Sequence, residues 1–247
     1  MRNYFYLLTT FACIVCICIS CRTIPGGKTS DGVSGTPVAL RTPGKLVPDK
    51  EATISVPQTK KPVQIDGLLV DEAWNEAVTL GDFVYGRSSK PEVDTKLLVT
   101  YDSNNLYIAV VNGEPNTGSL VTNATTRDGK VWNDDSVEVY IDPKNEKQRD
   151  YYGFFVSAGN TVYDRRHQEN WNGEWTSATS VQKGKCWIVE MAIPFKTIEI
   201  SPKSGHKLGI MVARNRRAGL SKAQGYFLAP CNREAKDTSA YPVFELK

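Results

Sequence analysis

The sequence predicts an all-β protein, a two-layer antiparallel β-sandwich of jelly-roll type with one or two short helices. Three observations predict it. Short alternating or wholly apolar runs recur from about Glu51 onward, clusters of turn residues separate them, and sustained helical periodicity is weak. A segment of that length can bury a full core without disulfides.

Taken in order, Thr53–Val56 and Val63–Ile65 open the strand series. Asp71–Ala77 predicts about two helical turns with Asp71 as a possible cap. Residues 95–101 alternate, with Thr95, Leu97, Val99 and Tyr101 on one face. Asp102-Ser103-Asn104-Asn105 supplies a turn, and residues 106–112 return with Leu106, Ile108 and Val110 aligned, which predicts a hairpin. Ser136–Asp142 alternates again, Val137, Val139 and Ile141 against Ser136, Glu138 and Tyr140. Tyr151–Ser157 and Thr161–Arg165 flank Gly159-Asn160 and form a second predicted hairpin. Trp187, Val189, Met191 and Ile193 make another apolar face, ended by Pro194, and Pro194–Ile198 predicts one helical turn. Leu208–Ala213, Gly225–Ala229 and Val243–Leu246 complete the strands.

The first 50 residues have a different character. Arg2 precedes an apolar run from Tyr4 to Ile19, too short for a comfortable membrane span and well matched to an export signal. Ser20-Cys21 resembles the end of a bacterial lipobox, with Cys18 where that motif usually carries Leu. Residues 1–21 are therefore expected to be a lipoprotein signal with Cys21 as the lipidated residue. Residues 22–50, rich in Gly and Pro and poor in large apolar side chains, are expected to be a flexible tether. The domain proper is residues 51–247. Four of the 6 cysteines fall in the signal, leaving Cys186 and Cys231, which are read as two separate buried thiols in preference to one bridge.

Composition narrows the function classes. The excess of positive charge behind the net +3 lies in the first 50 residues, 6 basic against 2 acidic, so the domain is nearly neutral and lacks the basic footprint of a nucleic-acid binder. With 2 histidines, and with no G-x-S-x-G, H-E-x-x-H, Walker or G-x-G-x-x-G segment, the common catalytic motifs are missing.

Several stretches bear a family pattern. Val63-Gln64-Ile65-Asp66-Gly67 with Asp71-Glu72-Ala73-Trp74 is similar to an opening "IDG…D..W". Leu97–Tyr101 with Asp102 and Asn105-Leu106-Tyr107-Ile108-Ala109 is similar to "yD..nLYia". Val131-Trp132-Asn133-Asp134-Asp135-Ser136-Val137-Glu138-Val139-Tyr140-Ile141-Asp142-Pro143 resembles "w.DDsvEvfidp", the most specific piece. Trp187–Phe195 resembles "W.vE.aIPf", and Ala213–Arg217 an arginine-containing late strand. In this order over residues 52–247, they resemble the carbohydrate-binding module family 9-like domains, a group with a DOMON-like sandwich. The resemblance implies non-catalytic sugar binding, an oligo- or polysaccharide partner, and a supporting role beside glycoside hydrolases. Some DOMON-like domains bind haem, so the fold alone does not name the ligand. With the lipid signal it implies attachment to the cell envelope, the outer membrane before the inner because Arg22 follows Cys21. The alternatives are a scaffold lipoprotein with a degenerate sugar site and, behind it, a haem-binding DOMON-like domain.

A sugar needs an aromatic platform and planar polar partners. Trp171 and Trp175 lie in a stretch without strand period, and Trp132 sits at a loop-to-strand junction. These are the expected platforms, against the alternative that they close the sandwich end. Trp74 and Trp187 are expected in the core. Arg214, Asp134 and Asp135 are expected polar ligands; Asp164 and Arg165 are weaker versions of the same idea. Asp134, Asp135 and Glu138 have a second reading as a structural calcium site and a third as a charged turn paired with Arg165 or Arg214. No other cofactor is expected.

Overall fold

The computed structural model describes residues 53–247, apart from 87, 168 and 232–234. The expected signal, lipidation site and tether lie outside the described residues.

Two sheets face one another. The larger has nine strands and contains β1 (Thr53–Val56), β3 (Val84–Tyr85), β6 (Ser136–Asp142), β7 (Tyr152–Ser157), β8 (Val162–Arg166), β9 (Glu169–Asn170), β12 (Lys207–Arg216), β13 (Gln224–Phe227) and β14 (Val243–Leu246). Its main path runs β1-β14-β12-β6-β7-β8-β9, and β13 joins β12 to β3. The smaller sheet runs β10-β11-β5-β4-β2, comprising β2 (Val78–Leu80), β4 (Thr95–Tyr101), β5 (Asn105–Gly113), β10 (Thr176–Gln182) and β11 (Cys186–Pro194). The pairing is antiparallel except between β1 and β14, which run parallel with Thr53 opposite Val243. The predicted two-layer sandwich is thus the observed fold.

Alternation decides what each strand buries. Leu97 and Val99 of β4, Ile108 and Val110 of β5, Val139 of β6, Phe154 of β7, Val189 and Met191 of β11, and Ile210 and Val212 of β12 fill the space between the sheets. Trp187 is fully buried, as expected. A second cluster covers the outer face of the smaller sheet, where Leu69 and Trp74 pack on Leu98, Tyr107, Ala109 and Ile188.

The cover over that outer face is pinned from within. Glu190 of β11 is fully buried, and its carboxylate accepts the backbone N–H groups of Asp66 (2.9 Å), Gly67 (2.7 Å) and Leu69 (3.2 Å). Burial raises the Glu190 carboxyl above the usual range, and these three donors oppose that rise. Gly67 has φ +83°, and a Cβ there would fall 2.8 Å from the carbonyl carbon of Thr179, so only glycine fits.

Several local expectations need correction. Val63–Ile65 is not a strand; its alternation serves to pack Val63 and Ile65 on the outer cluster. The Asp71–Ala77 segment forms only a 3₁₀ turn, Glu72–Asn75, and Asp71 does not cap it, because its carboxylate accepts the Gln64 N–H at 2.8 Å. The predicted turn after Pro194 is 3₁₀, Phe195–Ile198. Strands β2, β3, β9 and β10 lie outside the series that the sequence predicts. Cys186 packs with the outer cluster and Cys231 with the main core, and they are not bridged.

Candidate functional site

The outer face of the nine-stranded sheet carries a groove of about 470 Å³. Strand register determines its floor. Phe227 of β13 lies opposite Ala213 of β12, Ala213 opposite Glu138 of β6, Glu138 opposite Phe155 of β7, and Phe155 opposite Tyr163 of β8. Adjacent rows place Asn215 beside Ser136, and Tyr140 beside Gly153 and Arg165. Five strands therefore contribute one continuous face, with the small Ala213 leaving space between Phe227 and Phe155.

Trp132 forms one wall. Its indole is 38% exposed and stands edge-on to Tyr163, with ring centroids 5.3 Å apart. The 3₁₀ turn Val131–Asn133 presents it, with Val131 buried as the anchor. Exposed tryptophan beside a polar floor is an aromatic face available to a ligand.

Polar groups on the floor are held in place. Glu138 accepts the Tyr140 hydroxyl at 2.5 Å and the Asn215 amide at 2.8 Å. Asn215 also donates to Ser136 at 3.0 Å. Burial pushes the Glu138 carboxyl up, while the Tyr140 and Asn215 bonds and the charges of Lys236 and Arg165 pull it back. Arg165 crosses Gly153, where a Cβ would meet its Cγ at 2.9 Å. Its Nε donates to the His167 carbonyl at 2.6 Å, so the guanidinium is clamped at one nitrogen. Lys236 completes the rim opposite the strands.

Of the expected platforms, Trp132 lines this groove and Trp171 and Trp175 do not. The reason is alternation along β7. Phe155 faces the groove, whereas Tyr152 and Phe154 face the core, and the two tryptophans pack on that inner set. Trp171 stands 5.1 Å from Tyr152, and Trp175 stands 5.2 Å from Phe154. Trp171 also folds over Gly173, where a Cβ would fall 2.3 Å from the indole. Both rings are half-buried against the main core and lie outside this groove.

The expected polar ligands Arg214, Asp134 and Asp135 are likewise interior. Arg214 shares the inward parity of Val212 and is fully buried. It donates to the Asp94 carbonyl (3.3 Å), Thr95 Oγ1 (3.1 Å) and the Gly113 carbonyl (2.9 Å), and lies 3.4 Å from Glu114. Burial lowers its pKa to about 10 against the pull of Glu114. Glu114 is also held by Arg216 at 2.7 Å. Asp134 accepts the backbone N–H groups of Asn123 and Ala124, and Asp135 those of Val121, Arg217 and Ala218. The two aspartates knot together the loops on either side of the Trp132 turn, so they position the wall without touching the groove. Asp164 is spent on Arg127 (2.6 Å) and the Gly173 N–H (2.5 Å).

The calcium reading of Asp134, Asp135 and Glu138 does not fit this arrangement. The two aspartates are committed to backbone donors, Glu138 is bonded instead to Tyr140 and Asn215, and no metal-holding cluster of acids, His or Cys occurs among the described residues.

The residues that sequence reasoning missed are Phe155, Asn215, Tyr140, Phe227, Ala213 and Lys236. Parity along Ser136–Asp142 does place Tyr140 beside Glu138, but their cross-strand partners depend on register.

Comparison with known proteins agrees with this architecture. No curated protein matches the chain. A carbohydrate binding module family 9 protein from Caldicellulosiruptor kristjanssonii, solved with cellotriose, superposes with a TM-score of 0.61 at 20% identity, over 79% of this chain and 94% of that one. Its glucose complex gives 0.59 at 20% identity, over 79% and 96%. A putative carbohydrate-binding protein from Bacteroides uniformis ATCC 8492 gives 0.62 at 17% identity, over 79% and 99%. The family model described as carbohydrate family 9 binding domain-like matches residues 65–247, most of the chain and all of the groove, and the protein therefore belongs to that family.

Proposed function

We propose that the protein binds carbohydrate, without catalysing its cleavage, in the groove on the nine-stranded sheet. The observation that carries this reading is the exposed face of Trp132 beside a pre-bonded Glu138–Asn215 pair in a cavity of about 470 Å³. That volume lies in the range of small-molecule sites, and the combination of aromatic wall and fixed acceptors matches the C–H faces and hydroxyl rim of a sugar. The cellotriose and glucose bound by the related Caldicellulosiruptor kristjanssonii modules support the same class of ligand. Cleavage of a glycosidic bond needs two carboxyl groups flanking it, and Glu138 is the one carboxylate among the described residues that line the groove.

In this reading residues 1–21 direct export, Cys21 carries a lipid, and residues 22–50 hold the domain away from an envelope membrane. There it captures polysaccharide for partner hydrolases. The deciding experiment is isothermal titration with mono- and oligosaccharides, repeated on Trp132→Ala and Trp171→Ala. Loss of a stacking face weakens binding by about 1–3 kcal/mol. Trp132→Ala is expected to show that loss and folded Trp171→Ala to retain affinity. Unchanged affinity in Trp132→Ala refutes the groove as the site.

A further inference from the structure

Resting on the groove being the sugar site, we infer that its ligand is an anionic saccharide, one whose rings carry carboxylate or sulfate groups. The inference comes from which groove charges the fold has already used. Glu138 has both oxygens occupied, one by the Tyr140 hydroxyl and the other by the Asn215 amide. Arg165 is in the opposite condition. Its Nε is taken by the His167 carbonyl, and its two Nη atoms have no hydrogen-bond or ion-pair partner among the described residues. Lys236, exposed at the rim, makes no ion pair among them either. Among the described residues, two cations with open donors thus face a ligand space whose single carboxylate is already held by two donors.

The Arg165 fork is also pre-set. Gly153 lets its stem lie flat across β7, where any side chain would press on Cγ, and the Nε bond fixes the plane of the guanidinium. A clamped planar fork with two free N–H edges suits a carboxylate or sulfate, whose paired oxygens it meets bidentately, and orders little further on binding. A sugar hydroxyl uses one of those donors at a time. Arg165 and Lys236 both lie close enough to Glu138 to act on its charge, so the same two cations act on an anion entering beside it.

The test is titration of the whole protein with uronate oligosaccharides of gluco, galacto and manno configuration. Each is paired with its neutral methyl ester, and neutral and sulfated oligosaccharides are run alongside. At least one acid is expected to bind ten-fold or more tightly than its ester at low salt, with the ratio shrinking as salt rises. Sulfated glycans meeting that criterion while uronates fail it identifies the ester form of the same anionic class. Arg165→Gln, checked for folding by its melting curve, is expected to bring the acid-to-ester ratio close to one, and Lys236→Gln to reduce it. Neutral glycans binding as well as or better than every anionic one overturns the inference and leaves the sugar site standing. An acid preference that survives Arg165→Gln also overturns it. Failure of every glycan to bind the folded protein overturns the sugar reading itself.

Discussion

Replacing Glu190 with alanine tests how the cover over the smaller sheet is held. The carboxylate accepts three backbone N–H groups, two of them, from Gly67 and Leu69, in fully buried bonds. Hydrogen bonds to a charged acceptor contribute roughly 1.5–3 kcal/mol each, and orphaned buried donors lose their solvation as well. Water entering the vacated space recovers part of that, so the expected net loss is about 3–5 kcal/mol. Glu190→Gln keeps one acceptor oxygen and turns an N–H₂ toward one of the donors, with an expected loss of about 1–2 kcal/mol. Urea unfolding measures both, and hydrogen exchange at Asp66, Gly67 and Leu69 shows whether the loss is local. A loss below about 1 kcal/mol in Glu190→Ala, with exchange unchanged at those amides, would refute the pinning argument.

Other expectations follow from the groove and its surroundings. Gly153→Ala presses a methyl onto the Arg165 stem at 2.9 Å and onto the Phe155 ring at 3.2 Å, so glycan affinity should fall several-fold by titration while the fold persists. Glu138 has a raised folded-state pKa, so its contribution to stability is fully present below its unfolded value and is lost as pH rises through the folded value. The urea midpoint of the native protein relative to Glu138→Gln should therefore decline from pH 4 toward neutrality, and a difference that grows over that range contradicts the assignment. Arg214→Ala strips a fully buried charge from the Glu114 network and should destabilise by about 3–5 kcal/mol in urea. Arg214→Met, which fills similar volume, should lose less and retain glycan affinity, because the guanidinium never reaches the groove.

What the sequence reveals depends on whether burial writes a period into it. Residues 95–101, 106–112 and 136–142 alternate because one face of each strand enters the core, and they appear in the fold with only slight changes of boundary. Strand β10 reads Thr-Ser-Ala-Thr-Ser-Val-Gln; as a half-exposed edge it buries no apolar face, and its conformation comes from pairing with β11. The family motifs were recognisable, yet two of them prove to be the ends of one contact: Asp66-Gly67 supplies the amides and Glu190 the acceptor.

The site was less legible for a related reason. Trp132 and Glu138 stand close in sequence, but Arg165, Asn215 and Phe227 join them only through register across five strands. Trp171 and Trp175 resembled ligand platforms because their segment has no period. Nothing in that segment announces that Phe154 and Gly173 offer a recess for the rings. The Asp134-Asp135 pair signalled importance correctly and chemistry wrongly, since backbone amides use the same oxygens that a cation or hydroxyl would need.

The parallel ladder between Thr53–Val56 and Val243–Leu246 bears on how this chain is made. A ribosome delivers Thr53 long before Val243, so the first of the described strands waits, unmatched along its edge, until the last of them arrives. Contacts so distant along the chain slow the search for the native state, and an idle strand edge is a place where a stranger can pair. Until β14 is in place, that edge is where mispairing has its opening.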